Sequence, residues 1–306
     1  MNYTLNQLRV FLKVTQTKSV TKAAEELFMT QPAVSVQLKN FQDQFDIPLI
    51  EVIKKRIYIT DFGFEVAASA EKILLEVNDI KYKALAHNGF LSGKLKLSVV
   101  STAKYVIPFY IADFLKMNPG VELVLDVSNR SKVIEGLAKN EIDFAMVSLI
   151  PENLMLKTIP LLDNKLFLVG NKAFGDKSAK SPRFWEENPI IFREEGSATR
   201  LMMEQFITSK GIEVKHKLEL TSNEAVKQAV IAGIGCSIMP LLGMRNELEL
   251  NQLSILPVKE LPLTTKWEIV WLEGKKLNPV TSAFIQFIEN EKEKIEKKHF
   301  DWYTNY

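Results

Sequence analysis

Residues 19–38 read Ser-Val-Thr-Lys-Ala-Ala-Glu-Glu-Leu-Phe-Met-Thr-Gln-Pro-Ala-Val-Ser-Val-Gln-Leu. Two short apolar-periodic runs meet here. Ala23, Ala24 and Leu27 give one face to a helix over about Thr21 to Phe28, and Val34, Leu38 and Phe41 give one to the next. Met29-Thr30 interrupts the pattern between them. Thr30 suits a helix N-cap. Pro32 suits a first helical turn, where its missing N–H had no partner. Two short helices across a tight turn read as a helix-turn-helix or as an ordinary helical hairpin.

Outward from this stretch, Thr4-Leu5-Asn6-Gln7 is a capping-box pattern, followed by an apolar face of Leu5, Leu8, Phe11, Leu12 and Val14. On the other side, Ile53-Lys54-Lys55-Arg56-Ile57-Tyr58-Ile59-Thr60 reads as a basic β-hairpin, placed where a wing would flank the helix after Thr30. This favours DNA over the hairpin reading. A long helix follows over about Asp61 to His87. Val66, Ala70, Ile73, Val77, Ile80 and Ala84 recur along it at spacings of 4, 3, 4, 3 and 4. That is a heptad seam, which reads as a dimer contact or as packing on the helix's own domain. A strict seam favours the dimer, because a domain core takes a wider stripe.

Asn88-Gly89 and Ser92-Gly93 punctuate a hinge. Beyond it strands and helices alternate, predicting an α/β fold with a parallel sheet. The strands are Lys94–Val100, Val121–Val127 and Ile142–Val147, then Leu166–Val169, Ile190–Phe192, Lys217–Leu220, Cys236–Met239 and Lys266–Leu272. The helices run over Val106–Met117, Ser131–Lys139, from Ala198, Glu224–Ala232 and Val280–Glu296. Two such units with crossing connections predict two lobes around a cleft.

The chain has 306 residues, with 39 Lys and Arg against 37 Asp and Glu. That balance excludes a uniformly basic nucleic-acid coat. Residues 1–60 carry eight Lys and Arg against five Asp and Glu, a net +3, which leaves −1 on residues 61–306. One cysteine, Cys236, excludes an internal disulfide and reads as a small core residue. His87, His216 and His299 are far apart, so neither a metal nor a cofactor is expected. No apolar run reaches the ~18 residues of a membrane span, and the start lacks signal-peptide order. A soluble cytoplasmic protein is the expectation.

The first 65 residues resemble the LysR-type transcriptional regulators. The residues that carry this are Leu8-Arg9-Val10-Phe11, Ser19 to Leu27, Thr30 to Leu38, Ile59-Thr60 and Gly63. The resemblance extends to Val99-Val100-Ser101-Thr102, Ile142-Asp143-Phe144-Ala145 and Ala232 to Pro240. Phe192 to Arg200, with its Arg-Glu-x-Gly-Ser-x-Thr-Arg pattern, is similar to the branch regulating carbon fixation and sulfur or nitrogen assimilation. The resemblance implies a winged helix-turn-helix over 1–60, a linker and dimerisation helix over 61–88 and an effector domain over 89–306. Its lobe I would take about 93–162 and 267–306, and its lobe II about 163–266, in the manner of periplasmic binding proteins. The resemblance also implies a homotetramer, a dimer of dimers, on a partly palindromic operator, with RNA polymerase a further partner if the protein activates. Two positions depart from the family: the wing entry is Leu49-Ile50-Glu51-Val52, and Val36 stands where Arg or Lys is common.

For DNA, Gln31 at the start of the recognition helix suits adenine, and Ser35 one turn on suits either kind of base edge. Lys39 suits a phosphate, and Pro32 with Ala33 a thymine methyl. Thr30 is a cap or a reader. Lys54, Lys55 and Arg56 form the wing's charge, with Arg56 suited to a narrow minor groove.

For the effector, hydroxyls recur where strands lead into helices: Ser101 and Thr102, Ser128 with Asn129, Ser148, Ser197 and Thr199. Each alone reads as a helix cap. Together they fit an anion site at the carboxyl ends of the strands. The resemblance implies a pocket between the lobes and supports Ser101, Thr102, Asn129 and Thr199 most directly. Lys104, Arg130, Arg193 and Arg200 are candidate charges, although Arg193 has Glu194 or Glu195 for partners and Arg200 has Glu204. No nucleophile motif or phosphate loop appears, so an enzyme is not expected. The competing reading, a solute-binding protein or an α/β enzyme, leaves residues 1–87 unexplained.

Overall fold

The computed structural model describes residues 2–54, 56–87, 91–175 and 182–306, without the side chains of 75, 78, 79, 81–87, 173, 182 and 305. The chain divides into two compact units, Met1–Gly89 and Phe90–Tyr306.

In the first unit, α1 (Leu5–Thr17) starts on a complete capping box, in which Thr4 and Gln7 satisfy each other's backbone N–H. Leu8, Val10, Phe11 and Val14 are buried. Leu5 is not, because it sits in the first turn on the solvent side. Two more helices follow, α2 (Val20–Glu26) capped by Ser19 and α3 (Gln31–Gln42) capped by Thr30. Phe41, fully buried, ties α3 to α1 through ring contacts with Tyr3, Phe11 and Phe45 at 5.1–5.4 Å. Strands β1 (Ile50–Ile53) and β2 (Arg56–Ile59) pair antiparallel as the expected hairpin.

The long helix α4 (Asp61–His87) corrects part of the seam reading. Ala70 is 1% exposed and belongs to the unit's own core beside Ala67, with Val66 packed on it. Ile73 and Ile80 stand exposed, Val77 is half-buried, and the Ala84 side chain lies outside the described residues. The strict repeat is shared by core and exposed positions, since small residues packed in the unit's own core also satisfy a heptad.

The second unit opens with β3 (Ser92–Val100), α5 (Ile107–Met117), β4 (Gly120–Ser128), α6 (Arg130–Ala138) and β5 (Phe144–Val147). The 15-residue strand β6 (Leu156–Gly170) is followed by α7 (Lys172–Gly175), α8 (Pro182–Glu187), β7 (Ile190–Arg193), α9 (Ala198–Ser209) and β8 (Lys217–Leu220). The unit closes with α10 (Asn223–Ile231), β9 (Ser237–Pro240), α11 (Arg245–Glu249), β10 (Ser254–Ile255), β11 (Leu263–Leu272) and α12 (Pro279–Phe300).

The main sheet runs β10-β6-β11-β5-β3-β4, with β9 also on β6. It is mixed rather than parallel. Strands β3, β4 and β5 are parallel, but β11 runs antiparallel to both β5 and β6. The reason is that β6 and β11 are long crossing strands. Their first and last stretches serve the half containing β3–β5, and the rest of β6 pairs with β9 and β10. The separate parallel pair β7–β8 lies in that second half, bridged to Cys236, which is buried as expected of a core residue.

Phe41→Ala removes the ring that joins α1 and α3. It should destabilise the first unit by about 3–5 kcal/mol, read as a lower urea midpoint in far-ultraviolet circular dichroism.

Candidate functional site

On α3 the Thr30 hydroxyl accepts the Ala33 N–H at 3.4 Å, so it acts as the cap. Gln31 follows, exposed, and its Nε2 donates to Ser35 Oγ at 2.9 Å. This bond fixes the amide along the helix and presents two polar groups one turn apart. Pro32 and Lys39 are also exposed, and Val36 adds an apolar patch at 55% exposure. In the hairpin Lys54 takes the left-handed conformation at φ 49°, and Arg56 pairs across from Ile53 with its side chain exposed. Lys55 lies outside the described residues. Among the described residues Lys39, Lys54 and Arg56 make no ion pair, which leaves their charge open to an outside anion.

Two polar side chains to which the sequence analysis gave no role tie the hairpin down, Gln42 to α3 and Thr60 to the start of α4. Gln42 Oε1 accepts the Leu49 N–H at 2.7 Å. Thr60 Oγ1 donates to the Pro48 carbonyl at 2.7 Å and accepts the Gly63 N–H at 2.9 Å. A Cβ on Gly63 would lie 2.1 Å from the Leu49 carbonyl oxygen, so the helix start can approach only as glycine. The spacing Thr60-x-x-Gly63 was the available signal.

In the second unit the candidate hydroxyls stand at the carboxyl ends of strands, as the alternation predicts. Ser101 and Thr102 follow β3, Ser128 ends β4, and Ser148 follows β5; Thr102 and Ser148 are buried. Asn129 and Ser197 are caps, accepting from Lys132 N–H and Arg200 N–H at the starts of α6 and α9. Thr199 is buried in the first turn of α9. Thr102 stands at the start of a short 3-10 turn, but its hydroxyl makes no cap bond.

The two halves meet at these ends. Arg193, 3% exposed at the end of β7, donates to Ser101 Oγ at 3.1 Å across the cleft. It also grips both carboxylate oxygens of Glu194 at 2.8 Å each and donates to Asn223 Oδ1. Gly196, at φ +80°, lies so close to Ser131 that a Cβ would fall 2.6 Å from its Oγ. Beside it is a depression of about 360 Å³ lined by Arg130, Ser197, Arg200 and Glu195.

The candidate charges are less free than the sequence suggests. Arg193 is paired with Glu194. Arg200 binds Glu204 and Glu219 at 2.8 and 2.6 Å, and the Glu204 hydrogen bond leads in holding its guanidinium above the usual arginine range. Arg130 donates to the Leu149 carbonyl at 3.3 Å. Lys104 does not join this group. Its Nζ lies 5.0 Å over the Tyr105 ring and faces a different cavity of about 450 Å³, shared with Lys227, Arg245 and Trp302. In that cavity burial opposes the Lys227 charge, but Glu247 at 2.7 Å and Glu224 outweigh it and raise its pKa. No group of three or more metal-ligating side chains forms among the described residues.

Residues 5–64 match the bacterial regulatory helix-turn-helix protein, lysR family, and residues 88–293 match the LysR substrate binding domain. A RuBisCO operon transcriptional regulator of Allochromatium vinosum is 34% identical over 294 residues, 95% of this chain and 97% of that one. The HTH-type transcriptional activator CmpR of Synechocystis sp. PCC 6803 is 33% identical over 290 residues, 94% and 95% of the two chains. Among solved structures, the Synechocystis PCC6803 CcmR regulatory domain in complex with 2-PG is similar at 33% identity and a TM-score of 0.62. It covers 66% of this chain and 98% of that one.

Gly196→Ala forces an L side chain into the left-handed region and against Ser131. The second unit should lose about 1–2 kcal/mol, measured by urea unfolding followed through tryptophan fluorescence.

Proposed function

The chain belongs to the LysR family of transcriptional regulators, and from that premise we propose that it reads an operator through Gln31, Pro32 and Ser35 while Lys39, Lys54 and Lys55 grip phosphates and Arg56 enters a narrow minor groove. The observation that carries this is the exposed Gln31–Ser35 pair on a Thr30-capped helix beside a hairpin of unpaired cations. A Gln amide offers a donor and an acceptor to adenine, and backbone contacts set the register without reading sequence. Residues 1–60 form the reader, 61–88 the linker and 89–306 the effector domain. Ile73, Val77 and Ile80, left over from packing on α1, take a partner helix in a homodimer that pairs into a tetramer. The protein works in the cytoplasm without catalysing a reaction, and contacts RNA polymerase at promoters it activates.

The effector is a small anion held between the two halves of the second unit. Ser101, Thr102, Ser128, Asn129, Ser148 and Thr199 supply polar contacts, with Arg193 and Arg130 supplying charge. The ligand of CcmR, 2-PG, is a phosphorylated carboxylate and supports that class. Such a ligand acts by binding one arrangement of the halves better than the other.

Arg56→Ala should weaken binding to every DNA sequence alike and reduce the slope of log affinity against log salt by about one unit. Fluorescence anisotropy with the DNA upstream of the protein's own gene measures it, and an unchanged slope removes Arg56 from the interface. For the cleft, 2-phosphoglycolate should raise the melting temperature of the wild type. Thr102→Val, which keeps the side-chain shape and removes the hydroxyl, should abolish the rise.

A further inference from the structure

Arg193 is a buried cation, and its partners are unusual in coming from three places. The fork made by its Nε and one terminal nitrogen holds the Glu194 carboxylate at two points, 2.8 Å each. One terminal nitrogen reaches Ser101 in the opposite half at 3.1 Å, and the other bonds Asn223 at the start of α10. Burying a guanidinium this deeply is costly unless an anion lies against it. Glu194 is the neighbour in sequence, its side chain is 16% exposed against 4% for that of Arg193, and the loop beyond it turns at Gly196. The carboxylate is therefore the more solvent-accessible member of the pair.

We infer that Glu194 is a resident anion, occupying on Arg193 the position that an effector must take from it. The inference rests on the cleft being the effector site. It sharpens the class of ligand. An entering group has to present two coplanar oxygens, as a carboxylate or phosphate does, so that the fork exchanges one two-point contact for another. A neutral sugar or an amine is rejected, since displacing Glu194 would leave the buried charge unpaired. Exchange also links ligand binding to the contact between the halves, because the nitrogen that holds one Glu194 oxygen also holds Ser101. If the resident pair is formed in about nine of ten molecules, affinity falls about tenfold relative to an open site.

The test is calorimetric titration of the full chain with 2-phosphoglycolate, and in parallel with inorganic phosphate, for wild type, Glu194→Gln and Arg193→Lys. Glu194→Gln keeps the shape and one acceptor but not the charge, and should bind at least one of the two anions about tenfold more tightly than wild type. Arg193→Lys keeps the charge but loses the fork, and should bind at least tenfold more weakly. Equal or weaker binding by Glu194→Gln overturns the inference, as does undiminished binding by Arg193→Lys. Binding of neither anion by wild type or Glu194→Gln overturns it too, since a freed fork would then hold no oxyanion. Gel retardation of the operator by the same preparations tests the regulator reading separately, and a positive result there stands whichever way the titrations fall.

Discussion

Nine residue pairs between β6 and β11 tie the two halves of the effector domain into one hydrogen-bonded ladder. The register shifts once, between Lys266 and Glu268, with Trp267 fully buried at the irregularity. A bulge of this kind bends and twists a strand pair without ending it. The halves therefore cannot slide or separate without breaking main-chain bonds. Change in the cleft is confined to bending about the crossing strands, which acts on contacts that span the gap, among them Arg193 and Asn223 to Ser101 and Gly196 against Ser131.

Charge is handled differently in the two units. In the DNA-reading unit Lys39, Lys54 and Arg56 are exposed and without described acidic partners. In the effector unit the cations nearest the cleft are bound, Arg193 by Glu194 and Arg200 by Glu204 and Glu219. The contrast has a physical basis. Exposed cations cost little when unpaired and attract phosphates, whereas a cation left alone in a buried cleft pays a desolvation penalty in every molecule without ligand. Residues 1–60 carry only +3, so their open cations stand out against a nearly balanced chain.

Much of this was legible in the residues. The capping box at Thr4, the Thr30 cap, the hairpin and most strand and helix positions follow from local chemistry, because caps, turns and periodicity depend on neighbours within a few positions. What failed did so where distant parts of the chain compete. Alternation predicts a parallel sheet because it reveals crossovers but not the direction of a strand that serves two halves. The first ten residues of β6, Leu156 to Lys165, escape the pattern because their alternation is weak on a strand that bends. The position of Lys104 after Ser101 and Thr102 points it to the cleft. Its side chain instead lies over Tyr105, a contact that no spacing announces.

The family, the helix-turn-helix with its hairpin and the set of hydroxyls at strand ends can all be read from short-range patterns that few other folds satisfy. How those groups are used depends on packing between distant parts of the chain. The tertiary structure assigned Ala70 to the core rather than to a partner, made caps of Asn129 and Ser197, and set Glu194 on Arg193 with Ser101 reaching from the other half. The physical reason is that a buried hydrogen bond or ion pair is satisfied by whichever group the fold brings within about 3 Å, and sequence order does not measure that distance.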